Sequence, residues 1–129
     1  KQLYNENTIL VGHSLGCAFL LRVLEKYNIQ IKAAFLIAAP IGILPIKNYK
    51  SDKLFLGNFT FDWEKIKNHC KKFFVFHSDN DPYVSLGNGK ELAKNLNTNM
   101  IFIHNAGHFN TSAGYTKFEV LFKKIKNII

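Results

Sequence analysis

A serine at position 14 sits between two glycines, in Gly12-His13-Ser14-Leu15-Gly16. Far along the chain stand an aspartate followed by proline, Asp81-Pro82, and a histidine preceded by glycine, Gly107-His108. A serine hydroxyl is a weak nucleophile near neutral pH, so a base must take its proton as it attacks. An imidazole, with a pKa near ~6.5, accepts and returns a proton there. A carboxylate behind the imidazole fixes its tautomer and stabilises the imidazolium that forms. Ser14 as nucleophile, His108 as base and Asp81 as orienting acid are therefore a set able to transfer an acyl group. If a helix starts just after the serine, the N–H of Leu15 can donate to the developing oxyanion. His13, fixed beside the nucleophile, is expected to line the substrate site rather than act as base.

Each assignment has a rival. Asp79 lies two residues before Asp81 and is open as the histidine's partner on the residues alone. His104 falls in an apolar run and reads as a packed or surface strand histidine. His77 ends another such run and could approach the site, with no role evident. His69-Cys70 invites a metal reading, but neighbours on a helix point to different sides. No ligand set has zinc-like spacing, so neither a metal nor a cofactor is expected. Taken singly, Asp81 is an ordinary turn residue and His108 an ordinary loop residue. Their order after Ser14 makes the set.

These groups meet only if the chain brings several strand ends to one edge. Thr8 to Val11 is a short apolar strand running into the glycine-flanked serine, and Ser14 to Tyr27 has helical character with apolar residues on nearly all sides. That context, a strand before and a helix after, is what a sharp nucleophile turn requires. Side chains at Gly12 and Gly16 are expected to collide with the adjoining strand and helix. Ile31 to Ala39 is nearly all apolar, as in a parallel strand covered on both faces, and Pro40 stops it. Ile41 to Thr60 lacks a period and reads as an excursion forming a small lid or pocket wall, with Ile41, Ile43, Leu44, Phe55, Leu56 and Phe59 as its apolar members. Phe61 to Lys71 resumes helical spacing with Asp62 as N-cap. Lys72 to His77 is a strand, Ser78 to Pro82 a turn, Ser85 to Leu96 a helix and Met100 to His104 the last strand. Thr116 to Ile129 closes the chain as an amphipathic helix with Phe118, Leu121, Phe122, Ile125 and Ile128 or Ile129 inward. Alternating strands and helices imply an α/β domain, residues 1–129, with a parallel sheet of about four strands and right-handed crossovers. Ligands of such sheets bind just beyond the strand ends, where Ser14, Asp81 and His108 fall.

Composition narrows the function classes. The chain has 129 residues, 47% hydrophobic and 20% charged, which is globular rather than disordered. The net charge is +8, yet Arg22 is the only arginine and the lysines are scattered. Nucleic-acid sites favour the arginine fork, so no nucleic-acid partner is expected. No apolar run approaches the ~20 residues of a membrane span, and none is expected. Two cysteines, Cys17 and Cys70, make no disulfide framework; a reducing, cytoplasmic setting follows.

With these residues in view, the sequence resembles the small single-domain serine hydrolases of the α/β-hydrolase superfamily, the group that includes the retinoblastoma-binding-protein type and its bacterial relatives. The likeness is carried by Gly12 to Cys17, by Trp63-Glu64-Lys65-Ile66-Lys67 with Cys70, by Ser78 to Pro82 and by Gly107-His108-Phe109. The resemblance implies an α/β-hydrolase fold and favours Asp81 over Asp79. It also implies that the strands preceding Lys1 in the family, with a loop supplying a second oxyanion N–H, are absent, so the residues are expected to be an N-terminally incomplete piece. The retinoblastoma-pocket motif L-x-C-x-E fails here, because Phe19 stands where the glutamate belongs. The expected activity is hydrolysis of a small ester, or an amide, with a small-molecule acyl substrate. The alternative is a non-catalytic interaction module on the same fold.

Overall fold

The computed structural model describes residues 4–47, 50 and 59–129. Four strands, β1 (Ile9–His13), β2 (Ile31–Ile37), β3 (Cys70–Ser78) and β4 (Met100–Ile103), form one sheet in the order β1-β2-β3-β4. All neighbours are parallel, with Val11 opposite Phe35, Phe35 opposite Phe74 and Phe76 opposite Ile101. Because parallel neighbours need crossovers, helices lie between them: α1 (Leu15–Lys26) after β1, α2 (Trp63–Asn68) before β3 and α3 (Leu86–Asn95) before β4. A final helix, α4 (Glu119–Ile128), follows a single 3₁₀ turn at Thr111–Ala113. Parallel pairing puts the C-terminal ends of all four strands on one edge. His13, Ile37, Ser78 and Ile103 close those strands, so the loops carrying Ser14, Pro40, Asp81 and His108 start side by side.

The sheet separates two cores by the alternation of side chains along each strand. Ala34, Leu36 and Val75 face Leu21, Leu24, Ile66 and Leu92 from α1, α2 and α3. Ala33, Phe35, Ile37 and Phe76 face the other way, toward Phe118, Leu121, Ile125 and Ile128. Phe35 and Phe74 stack there with ring centroids 4.4 Å apart. β2 is covered on both faces, as its nearly all-apolar run requires.

Four boundaries or faces differ from sequence expectation. In α4, Phe122 is 58% exposed rather than inward; positions 118, 121, 125 and 128 already make a complete helical stripe, and 122 lies a step off it. Lys126 instead places its ammonium 5.4 Å from the Phe122 ring centroid. In α1, Phe19 is 61% exposed, so that helix is buried on one side rather than all round. α2 stops at Asn68 and β3 starts at Cys70, because Cys70 pairs with Ile31 in the sheet register. Asp62 does cap α2, accepting from the Lys65 N–H at 3.2 Å.

Of the expected lid, residues 48, 49 and 51–58, with Phe55 and Leu56, lie outside the described residues. Ile41 and Phe59 are buried members of the first core rather than a pocket lining, while Ile43 and Leu44 are exposed. The segment after β2 is pinned by Asn88 of α3, which is fully buried. Its Oδ1 accepts the N–H groups of Ile41 and Ile43, and its Nδ2 donates to the Ile43 carbonyl at 2.6 Å. Among the described residues no helix is long and apolar enough to cross a membrane.

Candidate active site

Ser14 occupies the turn between β1 and α1 with φ 57° and ψ −125°. A non-glycine residue there carries strain of about 1–3 kcal/mol, which the surroundings must overdetermine. They do so from two sides. Its N–H donates to the Ile37 carbonyl at 2.8 Å, and its carbonyl accepts from the Cys17 N–H at 2.9 Å. Gly12 makes the turn fit: a Cβ there would stand 3.0 Å from Cys17 Cα. Gly16 does not follow the sequence expectation, since an added Cβ meets nothing within 4 Å. Cys17, behind the turn, is wholly buried, and desolvation pushes its thiol up to about 12, so it is a packing residue.

The loops after β3 and β4 supply the other two groups. His108 Nδ1–H donates to Asp81 Oδ2 at 2.7 Å, and the Asp81 side chain is fully buried. Burial works to raise the Asp81 pKa, but the bond from His108 and the N–H groups of Tyr83 and Val84, both accepted by Oδ1, outweigh it. The carboxyl is held below the ordinary carboxylate range and stays ionised. With Nδ1 committed to Asp81, His108 keeps Nε2 as its proton acceptor. Ser14, Leu15 and His108 line one cavity of about 370 Å³ together with Pro40, Ile46 and Tyr83. No hydrogen bond joins Ser14 Oγ to His108. Leu15 opens α1, so its N–H is one of the unpaired donors of a helix start and faces the same turn.

His13 stands beside that cavity rather than in its lining. Its Nε2–H donates to the His108 carbonyl at 2.6 Å, and the two rings lie 4.8 Å apart. Asp79 has a histidine of its own: His104 Nδ1 meets Asp79 Oδ2 at 2.5 Å, and the Asn105 N–H donates to Oδ1. His104 is just past β4 and exposed. His77 is fully buried, its Nε2–H donating to the Val84 carbonyl at 3.0 Å with Asp81 Oδ2 at 3.9 Å. Burial lowers its pKa, against the opposing pull of the Val84 bond and Asp81. His69 donates through Nδ1 to the Leu24 carbonyl, and the Cys70 thiol bonds to the Lys72 carbonyl. Among the described residues no three His, Cys, Asp or Glu side chains are grouped to hold a metal ion.

Sequence reading missed three contributors, Tyr83, Ser78 and Asn80. Tyr83 sets its ring edge-on to His108 with centroids 4.9 Å apart, and Ile46 and Lys47, from the stretch expected to form a pocket wall, line the same cavity. Ser78 and Asn80 were legible only as turn formers. Their signal was Ser78-Asp79-Asn80-Asp81-Pro82 itself, in which every polar side chain turns out to be bonded.

The model of the serine hydrolase family matches residues 2–127. A curated relative in rat (Rattus norvegicus), serine hydrolase RBBP9, is 29% identical over 125 residues, which is 97% of this chain and 63% of the relative. YdeN of Bacillus subtilis (strain 168) is 31% identical over 120 residues, 92% of this chain and 62% of that protein. The solved structure of the B. subtilis ydeN gene product superposes with a TM-score of 0.87 at 26% identity, covering 97% of this chain and 67% of that one. The chain thus spans a little under two thirds of the length of the curated relatives it matches. Strand order, a serine held at the turn after β1 and the matched span of the family model lead to one assignment: the chain belongs to the serine hydrolase family and has the α/β-hydrolase fold.

Proposed function

We propose that the protein hydrolyses a small ester, or an amide, through Ser14, His108 and Asp81. The observation that carries this reading is the buried His108–Asp81 bond at 2.7 Å on a histidine that shares a cavity with Ser14. Ser14 Oγ attacks the substrate's carbonyl carbon while His108 Nε2 takes its proton. The oxyanion so formed accepts the Leu15 N–H, and Asp81 stabilises the imidazolium. Collapse breaks the bond to the leaving alcohol or amine, which receives the proton from His108. Water then attacks the acyl-serine with His108 again as base, releasing the acid and restoring Ser14. His13 keeps an exposed ring at the rim of this site and so remains the side chain we assign to the bound substrate. Both cysteines are free and buried, in keeping with a reducing cytoplasm.

The competing reading is an interaction module that has lost turnover, and the absence of a Ser14–His108 hydrogen bond favours it. Catalytic bonds are often long before substrate binds, so the resting arrangement is compatible with catalysis. Labelling by a fluorophosphonate probe, together with turnover of p-nitrophenyl esters, decides between the two. Labelling and turnover that both vanish in Ser14→Ala are expected. Equal labelling of the wild type and Ser14→Ala overturns the assignment, and labelling without turnover favours the module.

A further inference from the structure

His108 follows a residue in the left-handed region, Gly107 with φ +56°. Both peptide groups of that glycine are held by side chains from the end of β3. The Gly107 N–H donates to Asn80 Oδ1 at 2.7 Å, and its carbonyl accepts from Ser78 Oγ at 2.5 Å. Asn80 Nδ2 reaches further along the same loop, donating to Asn105 Oδ1 at 2.6 Å. Ser78 is fully buried, so its hydroxyl has no water to bond instead. On the far side the loop is closed off as well: a Cβ on Gly107 would come within 2.9 Å of Ala113 Cβ. The chain therefore enters His108 through a glycine whose N–H and carbonyl are both held, one in each flanking peptide group, one residue from the imidazole.

We infer that Asn80, assisted by Ser78, is a positioning residue that sets where the His108 ring stands relative to Asp81 and Ser14. This rests on the reading of His108 as the base. Neither side chain touches the reacting atoms; both act through the Gly107 backbone. Asp81 lies one residue beyond Asn80, so the acid and the clamp that presents the base ride on the same short turn. A shift of this turn moves Asp81 and His108 together and keeps their bond, whereas loss of the Asn80 clamp lets the base loop move alone. Displacement of a reacting group by about 1 Å can cost on the order of 100-fold in rate.

The test uses the full chain, with kcat and KM measured on p-nitrophenyl acetate and the His108 ring followed by NMR. Asn80→Ala is expected to lower kcat about 10- to 100-fold with KM within about twofold, because positioning acts on the chemical step rather than on binding. Asn80→Asp keeps an oxygen to accept the Gly107 N–H and is expected to retain kcat within about fivefold. In Asn80→Ala the His108 Nδ1–H signal should broaden and the ring's titration midpoint should move, which a merely structural loss at an exposed turn would not produce. Ser78→Ala, which removes the bond to the Gly107 carbonyl and the 3.3 Å contact of the same hydroxyl with Asn80 Oδ1, gives a second reading should Asn80→Ala fail to fold. It is expected to lower kcat about tenfold. Unchanged kcat and His108 titration in both alanine variants, with an active wild type, overturns the clamp and leaves the catalytic reading standing. An inert wild type sinks the catalytic reading. The His108 signals then judge the clamp alone: moved they support it, unmoved they overturn it.

Discussion

Two aspartate–histidine pairs bridge the same two loops, and they differ less in geometry than in surroundings. Asp81 meets His108 at 2.7 Å and Asp79 meets His104 at 2.5 Å, in both cases through Oδ2 and Nδ1. Each aspartate spends its other oxygen on backbone N–H groups: Tyr83 and Val84 for Asp81, Asn105 for Asp79. Both carboxyls are held below the ordinary range, Asp79 chiefly by the Asn105 N–H and then by His104. Exposure separates them. The inner pair is 0% and 10% exposed at its side chains, the outer pair 31% and 80%. Water screens the outer pair, and exposed ion pairs contribute little. The inner histidine alone also lines the cavity of Ser14. An Asp–His hydrogen bond is therefore no mark of catalysis by itself. Dryness and a serine lining the same cavity are what set one pair apart.

The sharpest way to break this contrast is Asp81→Asn. An amide in place of the carboxylate can present its NH₂ to the ring and select the wrong tautomer, with no charge to stabilise the imidazolium. A fall in kcat on the order of 10⁴-fold is expected, read with a chromogenic ester. Retention of a tenth or more of the wild-type rate would mean that the buried pair is not the working one.

A smaller effect distinguishes the two pairs by stability. Next to the inner pair, His77 is buried and its pKa is lowered by that burial. Below the unfolded value of about 6.5 the unfolded chain binds a proton that the folded chain refuses. Stability contributed by neutral His77 is thus complete above that pH and is lost as pH falls from there toward its own lowered value. Asp81, also depressed, keeps its contribution down to about pH 4 and loses it below. Unfolding free energies from urea titrations between pH 8 and pH 5 should fall on acidification, with a limiting slope of about 1.4 kcal/mol per pH unit for one proton. His77→Gln should flatten that slope even if it lowers stability throughout. A slope that survives the substitution places the titrating group elsewhere.

Much of this site could be read from the residues because its three groups follow strands, and strands announce themselves by apolar runs. Thr8 to Val11, Ile31 to Ala39, Lys72 to His77 and Met100 to His104 all became sheet, with ends shifted by one or two residues where register decided. Asp62 capping α2 was equally plain, since a carboxylate before a helical spacing has few other uses. What stayed hidden depends on contacts distant in sequence. Nothing in Asp79 or His104 declares that they find each other across 25 residues. Nor does Asn80 show that its carbonyl oxygen, rather than a local turn, is what the chain employs. Gly16 misled because a motif glycine suggests crowding, yet only Gly12 approaches a neighbouring backbone. Phe122 misled because composition cannot rank two adjacent apolar positions when either completes a stripe.

The smallest expected effect is the most demanding test of the comparison. Asp79→Ala removes a carboxylate that makes a short bond to a histidine and holds a backbone N–H, features that would nominate it as the acid. If burial and the neighbouring nucleophile are what count, probe labelling and kcat should stay within about threefold of the wild type. His104→Ala should do no more. A loss approaching that of Asp81→Asn would mean that the outer pair reaches the reaction after all, and the bonds between the two loops offer it an indirect route. Asp79 holds the Asn105 N–H, Asn105 Oδ1 accepts from Asn80, and Asn80 holds Gly107. A loss that passes through this chain should appear in kcat and in the His108 ring signals together while leaving His104→Ala silent. Loss in both outer variants without a change at His108 would instead require Asp79 to be the acid, and the inner pair would be the structural one.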